Sequence, residues 1–231
     1  MKSIKLSPST LNLFLECPCC FWLDKVKNIK RPRGIFPSLP NGMDRAIKTY
    51  FDSYRVKKVL PPELQGSDFN GVQLFDNQSQ INRWRNWQTG LQYRDQEGAL
   101  LTGALDDLLV KGGEHIPFDY KTKGSPASEE SAVRYYQFQL DCYALLLEAN
   151  RLPTVGHGFL LFYSPKVVVE HGHVVFECQA IKIPTQIERA RIIFRKAVTV
   201  LKGPQPETNL ECEYCGWLGA LEEMKRNCLS F

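Results

Sequence analysis

Two acidic residues and one lysine near the middle of the chain carry the clearest signal for chemistry. Residues 104–110 and 116–122 are mostly apolar and flank a short glycine turn, which predicts two neighbouring strands. Asp106 belongs to the first strand, and Asp119 and Lys121 belong to the second. Side chains two positions apart on a strand share a face, so the aspartate and the lysine of the second strand point the same way.

The register of this hairpin decides whether the two aspartates meet. A turn centred on the two glycines pairs Lys111 with Glu114, and the same register puts Asp106 opposite Asp119. Opposed residues of an antiparallel pair have Cβ atoms about 4.5–5.5 Å apart. Two carboxylates at that distance repel unless a cation lies between them, and Mg²⁺ prefers one or two carboxylates plus water and phosphate oxygens. Asp107 points to the other face. The alternative interpretation is a solvated strand pair with its charges outward.

Three short motifs follow one another in this part of the chain. They are Gly-Ala-Leu-Asp ending at Asp106, Phe-Asp-Tyr-Lys ending at Lys121, and Gln-Leu-Asp-Cys-Tyr from Gln139 to Tyr143. Their order resembles that of RecB-like PD-(D/E)XK nucleases and of related CRISPR-associated accessory nucleases. The resemblance implies that the first aspartate and Asp119 bind Mg²⁺ or Mn²⁺ and that the lysine assists the attacking water. It also implies that the glutamine and tyrosine, which share a helix face, contact DNA.

One further metal ligand is expected from the helix that precedes the strands, and here the sequence departs from the family pattern. The relatives offer Gly-x-x-His or a glutamate, whereas the nearest match in this chain is Gly-Met-Asp-Arg at residues 42–45. Asp44 can bind a hard cation as a glutamate does. An aspartate favoured by the positive end of a helix is an equally good interpretation.

Two Cys-x-x-Cys pairs lie near opposite ends of the chain. Cys17 with Cys20, and Cys212 with Cys215, can supply four thiolates to one tetrahedral metal centre. The nuclease relatives resemble this arrangement, because many hold a 4Fe–4S cluster with cysteines from both ends. The resemblance favours that cluster, with Zn²⁺ as the alternative, since both accept four thiolates. The relatives' usual spacing admits Cys228 as an alternative ligand.

The other cysteines have simpler interpretations. Cys19 is expected to be a bystander of the N-terminal pair, and Cys142 and Cys178 are expected in the core. The segment Arg-Trp-Arg-Asn-Trp at residues 83–87 mixes basic and aromatic side chains, which can follow a phosphate backbone and stack on bases. We favour an amphipathic helix whose tryptophans enter the core.

The elements that must position these residues predict an α/β protein. Helices come first, followed by the strand pair, a helix over 129–150, more strands, and a last helix opened by a capping box at Thr185 and Glu188. This order predicts a restriction-endonuclease-like mixed central sheet flanked by helices, with the two chain ends joined by the cysteine site. We expect a single domain over 1–231, with a nuclease core at 101–202 and a metal-binding region formed by 1–40 and 203–231.

Composition narrows the class of protein only a little. The net charge of +4 permits an anionic partner without demanding one. No segment has the roughly 20 apolar residues needed to cross a bilayer, and the N-terminus lacks a signal-peptide pattern, so we predict a cytoplasmic protein with no membrane partner.

The predicted function is that of a divalent-metal-dependent deoxyribonuclease that hydrolyses phosphodiester bonds. The resemblance suggests exonuclease action, single-stranded DNA as a candidate substrate, and protein partners in DNA repair or CRISPR adaptation. A non-catalytic DNA-binding or assembly module that keeps the nuclease fold is the alternative. An interaction protein stapled by a zinc-ribbon-like site, without a nucleic-acid role, is a third interpretation.

Overall fold

The computed structural model describes residues 4–32, 34 and 38–228, with side chains described to residue 226. Within these ranges the chain forms the helices α1 (Pro8–Glu16), α2 (Pro18–Trp22), α3 (Ser38–Lys57), α4 (Gln78–Arg85), α5 (Glu129–Ala149), α6 (Ile187–Lys202) and α7 (Glu213–Cys228). The strands are β1 (Lys5–Leu6), β2 (Gln73–Leu74), β3 (Leu91–Arg94), β4 (Leu100–Gly103), β5 (Asp107–Lys111), β6 (Glu114–Thr122), β7 (His157–Val169) and β8 (His173–Pro184).

A five-stranded mixed sheet with the order β2-β5-β6-β7-β8 forms the centre of the fold. Strands β5 and β6 are antiparallel, and Lys111 lies opposite Glu114, which confirms the predicted register. Strands β6 and β7 are parallel, so the chain needs a crossover connection between them, and α5 supplies it. A smaller sheet has the order β1-β4-β3. The predicted fold class, a mixed α/β sheet flanked by helices, is confirmed.

The first part of strand β7, residues 158–164, is buried on both faces because helices cover both sides of the sheet there. Leu160 and Phe162 pack into a core cluster that includes Phe194 of α6 and residues of α5. Their neighbours Phe159 and Leu161 point the other way, into a cluster that includes residues of α3. Alternation along one strand therefore fills two hydrophobic cores, which is why β7 has a nearly continuous apolar sequence.

The N-termini of α1 and α6 are capped in different ways, one by a neighbouring side chain and the other by a residue distant in sequence. Ser7 caps α1, since its hydroxyl accepts from the backbone N–H of Thr10. The capping box predicted at Thr185 and Glu188 is wrong: α6 begins after Gln186, which makes no side-chain cap. The buried Asp141 of α5 instead accepts from the Gln186 backbone N–H at 2.7 Å.

Other boundaries also differ from the sequence-based expectation. Strand β7 runs on through Pro165, with an irregular pairing to β8 between Pro165 and Val167. Strands β3 and β4 and helix α7 were not predicted. No helix in the described part of the chain combines the length and apolar character needed to span a membrane.

Candidate functional site

Strand β6 separates its apolar side chains from its charged ones. Ile116, Phe118 and Tyr120 point into the core cluster that contains residues of α3. Asp119 and Lys121 occupy the alternate positions and meet side chains of α5 on the opposite face. The pleat of one strand therefore places a carboxylate and an ammonium side by side beneath α5.

Asp119 is the most buried charge of this group, with 1 % of its surface exposed. Its carboxylate forms an ion pair with Lys121. Burial raises the pKa of Asp119 to about 7, the Lys121 ammonium opposes that rise, and the nearby Asp106 carboxylate adds to it. The buried Asp119 Oδ2 contacts the Lys121 ammonium, so one positive charge already lies against this carboxylate.

Gln139 joins the charged pair to the helix above it. Its Nε2 donates to Asp119 Oδ1 at 3.1 Å and to the Tyr143 hydroxyl at 2.6 Å. Its Oε1 accepts from Lys121 Nζ at 3.1 Å. One amide side chain thus fixes the aspartate, the lysine and the tyrosine relative to one another, and Gln139 and Tyr143 share a helix face, in agreement with their spacing.

Asp106 was expected within the first strand of the hairpin but lies one residue before β5, and it reaches the site from the beginning of that strand. Lys48 of α3 contacts the Asp106 carboxylate at 2.8 Å and the Asp44 carboxylate at 2.9 Å. Burial lowers the pKa of Lys48, but the two carboxylates outweigh it and the net shift is upward, so this lysine stays charged. Sequence reasoning missed Lys48, although its position four residues after Asp44 on one helix was a usable signal.

The carboxylates are close but not gathered into a tight ligand set. Among the described residues, three or more ligand atoms of His, Cys, Asp or Glu lie within 4.8 Å of one another only in the group of four cysteines. Asp44, Asp106 and Asp119 do not form such a group. An ammonium lies between Asp44 and Asp106 instead.

Asp107 lies on the other face, as the register predicts, and is fully buried. Arg55 Nη2 donates to both of its carboxylate oxygens at 2.6 Å, and the Tyr120 hydroxyl donates at 2.6 Å. Arg85 contacts the same carboxylate at 3.2 Å and also donates from Nε to the backbone oxygen of Asp106 at 2.7 Å. This network holds the backbone from which Asp106 projects.

The four predicted cysteine ligands come together from opposite ends of the chain. The Sγ atoms of Cys17 and Cys215 are 3.6 Å apart, and that of Cys20 lies 3.6 Å from Cys215 and 3.7 Å from Cys212. All four are buried, and their sulfurs lie within 4.8 Å of one another.

Both Cys-x-x-Cys pairs sit at the beginning of a helix. Cys17 is the N-cap of α2, and Cys212 immediately precedes α7. Burial acts to raise the pKa of Cys212, but backbone N–H groups of Cys215 and Tyr214 outweigh it and lower the pKa to about 7. Helix N-termini favour thiolates in this way, and thiolates are what metals bind.

Arg31 is a neighbour of the cysteine site that sequence reasoning did not identify. Its Nη2 lies 3.4 Å from Cys212 Sγ, and its Nη1 pairs with Glu16 at 2.6 Å. The guanidinium also stacks over the ring of Tyr214, with the carbon atom Cζ 4.6 Å from the ring centre. A fixed positive charge beside the sulfurs offsets part of the negative charge of a four-thiolate centre.

The remaining cysteines behave differently from the four. Cys19 is buried but outside the set of converging sulfurs. Cys142 is buried in α5, and Cys178 packs against the core cluster that contains residues of α3. The side chain of Cys228 lies outside the described residues, so its role as an alternative ligand stays a prediction.

The two tryptophans of the basic and aromatic segment have separated. Trp84 of α4 enters the core with 6 % of its surface exposed, as the favoured interpretation expected. Trp87 follows the helix and is 70 % exposed, so the expectation of a core position is wrong for this residue. Helix α4 ends at Arg85, and the chain beyond it turns outward.

Comparison with known proteins places the chain in a family. The family model described as the PD-(D/E)XK nuclease superfamily matches residues 39–220, and the chain belongs to this superfamily. No curated protein matches it. One solved structure, titled "Crystal structure of SSO0001", is 13 % identical, with a TM-score of 0.48; the similarity covers 93 % of this chain and 84 % of that one.

Proposed function

We propose that this protein is a divalent-metal-dependent nuclease that cuts DNA at a site built from Asp106, Asp119 and Lys121. The observation that carries the proposal is the buried Asp119 carboxylate, which pairs with the charged Lys121 and lies near a second carboxylate, that of Asp106. Burying such a group is costly unless a positive charge compensates it. Membership of the superfamily supports phosphodiester hydrolysis as the reaction.

The residues present suit Mg²⁺ or Mn²⁺, which take carboxylate oxygens. Asp106 and Asp119 would hold the cation, with Asp44 as a further ligand from α3. Bound there, a divalent cation polarises the phosphate and lowers the pKa of a bound water. Lys121 keeps its proton, because the attraction of Asp119 outweighs the lowering of its pKa by burial. Its charge stabilises the negative charge that develops on the phosphate.

Gln139 and Tyr143 are assigned a positioning and DNA-contacting role. Gln139 orients Asp119 and Lys121 through opposite ends of one amide group. Tyr143 accepts a hydrogen bond from the same amide. Gln139 therefore connects the proposed DNA contact of Tyr143 to the charged pair of Asp119 and Lys121.

The test is cleavage of end-labelled DNA with and without Mg²⁺ or Mn²⁺. Asp119→Asn and Lys121→Ala should each reduce the rate by about a hundredfold or more, because each removes charge used at the phosphate. A matched control is the surface pair of Asp68 and Lys182, which are 3.2 Å apart with side chains 53 % and 46 % exposed. Asp68→Asn and Lys182→Ala should cut at the wild-type rate.

Two outcomes would refute the assignment. Cleavage at the wild-type rate by both the Asp119 and the Lys121 variant would show that the catalytic site lies elsewhere. Wild-type protein that binds DNA but cuts none with either metal would favour the non-catalytic DNA-binding module. Labels at the 5′ and 3′ ends, on single-stranded and duplex substrates, test the exonuclease action and strand preference that the RecB-like resemblance suggests. Partners in DNA repair or CRISPR adaptation rest on that resemblance alone.

For the cysteine centre, the sulfur geometry supports a single tetrahedral ion, Zn²⁺, over the 4Fe–4S cluster that the resemblance favours. Thiolates about 2.3 Å from a tetrahedral Zn²⁺ stand about 3.8 Å apart. Three of the six sulfur–sulfur separations are 3.6–3.7 Å, close to that value, and all six are within 4.8 Å. Each thiolate of a cluster binds a separate iron, which keeps the sulfurs farther apart.

Metal analysis of anaerobically purified protein distinguishes these two centres. One zinc per chain and no visible absorption are expected. Iron with broad absorption near 400 nm would overturn the zinc assignment, and protein without either metal would remove the metal centre altogether.

A further inference from the structure

A cleft of about 440 Å³ adjoins the candidate catalytic site on the side of α1. Gln139 bonds directly to both members of the charged pair, and Tyr143 bonds to Gln139; both side chains form part of the wall of the cleft. The rest of the lining mixes hydroxyl, amide and small apolar groups, and it includes Trp87. The volume is in the range of pockets that hold small organic ligands, about 300–1,000 Å³.

The Trp87 loop is held against the cleft by a close approach of two backbone segments. Gly90 ends this loop, and a Cβ atom there would lie 2.3 Å from the backbone oxygen of Gly103, so only glycine fits. Gly103 is itself packed against Leu146 of α5, where a Cβ would come within 2.5 Å of the leucine side chain. The loop is therefore anchored beside α5, while its indole ring is left exposed.

An exposed indole with no packing role is unusual in this segment. Trp84, three residues earlier, is buried, whereas Trp87 keeps 70 % of its surface exposed. Its ring is a large flat surface at a cleft with mixed polar and apolar walls, and the same cleft is lined by Gln139, which binds Lys121. Bases stack on such rings, and stacking needs a base that is not already paired within a duplex.

We propose that Trp87 stacks on an unpaired base of single-stranded DNA in this cleft, so that the adjoining phosphate reaches Asp119 and Lys121. The delivery of the phosphate to Asp119 and Lys121 rests on the proposed nuclease function. The stacking of a DNA base on Trp87 does not depend on it. It makes Trp87 a substrate-positioning residue and single-stranded DNA the substrate class.

The test measures the binding of a short oligo(dT), without added Mg²⁺ or Mn²⁺, through the change in tryptophan fluorescence. Trp217 provides a matched control, because it is 68 % exposed and lies near the cysteine site, away from this cleft. Oligo(dT) should quench the fluorescence of Trp217→Phe, and the quenching should be lost in Trp87→Phe. Trp87→Ala should weaken binding by about ten- to a hundredfold, from the known range of base–aromatic stacking. Trp217→Ala should bind as wild type does, and Trp87→Phe should bind nearly as well because it keeps a ring.

The outcomes separate this inference from the nuclease proposal. Quenching that depends on Trp87, in a protein that cuts no DNA with either metal, supports the stacking role and refutes the nuclease. Cleavage of single strands with unchanged rate and affinity in Trp87→Ala refutes the stacking role alone. Absence of oligo(dT) binding by the wild type, or equal weakening by Trp217→Ala, also refutes it.

Discussion

Lys48 lies between Asp44 and Asp106, two of the proposed ligands of the divalent cation. Its ammonium contacts both Asp44 and Asp106, so the two carboxylates are held by a positive charge from the protein itself. A divalent cation bound to either aspartate has to compete with that ammonium for the same oxygens.

We therefore expect Lys48→Met to lower the Mg²⁺ concentration that gives half-maximal cleavage, by about threefold or more, because the competing charge is gone. The measurement is a Mg²⁺ titration of the cleavage rate, read from the midpoint rather than the maximum. Lys182→Met, a surface lysine, should leave the midpoint unchanged. A higher midpoint in Lys48→Met would mean that Lys48 supports metal binding rather than opposing it.

Asp119 gives a prediction about the protein without added Mg²⁺ or Mn²⁺. Its folded-state pKa of about 7 exceeds the usual unfolded value of about 3.9, so the folded state holds the proton more tightly. The wild type should lose stability as the pH rises from about 4 to 7, and the loss should then level off. Asp119→Asn removes this cost, so its advantage in denaturant unfolding should be larger at pH 8 than at pH 5. A difference that does not change with pH would contradict the assigned shift.

Single residues were predictable from sequence where strand periodicity alone fixed their positions. The shared face of Asp119 and Lys121 followed from strand periodicity, and that of Gln139 and Tyr143 from helical spacing. Their roles, and that of Asp106, came in part from the resemblance and stay predictions.

Arg31 was not found, because its contact with Cys212 joins segments far apart in sequence. Lys48 was missed although its spacing from Asp44 was a usable signal, since its contact with Asp106 depends on the fold. Trp87 was assigned to the core because nothing in the sequence shows that α4 ends two residues before it.

At the scale of elements, the start of β5 ties α3 and α4 to the sheet. Asp107 is contacted by Arg55 from α3, Arg85 from α4 and Tyr120 from β6. The neighbouring Asp106, by contrast, is partly exposed and carries the proposed chemistry. Strand pleating sends the two adjacent aspartates to opposite faces, so the buried network of Asp107 is separate from the chemistry proposed for Asp106.

Substituting these neighbours should separate stability from activity. Asp107→Ala should lower the free energy of unfolding by about 3–5 kcal/mol, because it leaves buried arginines without their partner. Asp106→Asn should abolish cleavage with little change in stability. Urea unfolding of both variants checks this, and a stable Asp107→Ala protein would show that the buried network is dispensable.

Some elements could not be predicted because tertiary contacts decide them. Strands β3 and β4 are short and pair with each other and with β1, so neither has a strong pattern of its own. The start of α6 depends on Asp141, a buried residue about 45 positions earlier, which accepts from Gln186 and pairs with Arg189. The helix therefore begins where Asp141 accepts from the Gln186 backbone, and the local capping box does not form.

At the scale of the whole molecule, the cysteine centre fastens the N-terminal helices to α7. A structural metal site contributes folding free energy directly, on the order of 10 kcal/mol in small zinc domains. Cys17→Ser and Cys212→Ser should therefore lose the metal and lower the Tm, whereas Asp119→Asn should keep it.

Cys142→Ser is the control, because Cys142 is buried but outside the set of four. It should keep the wild-type metal content, measured by elemental analysis, even if its packing costs some stability. Loss of metal in Cys142→Ser, or full retention in Cys212→Ser, would contradict the ligand set. Cys20→Ser compared with Cys228→Ser decides whether the alternative ligand takes part.

The same centre sets an order of events during protein synthesis. Cys17 and Cys215 are 198 positions apart. At about 5–20 residues per second, the first thiols wait roughly 10–40 seconds on the ribosome before their partners are made. A chain interrupted before Cys215 can never assemble the four ligands, and its N-terminal thiols stay open to oxidation or to an unsuitable metal.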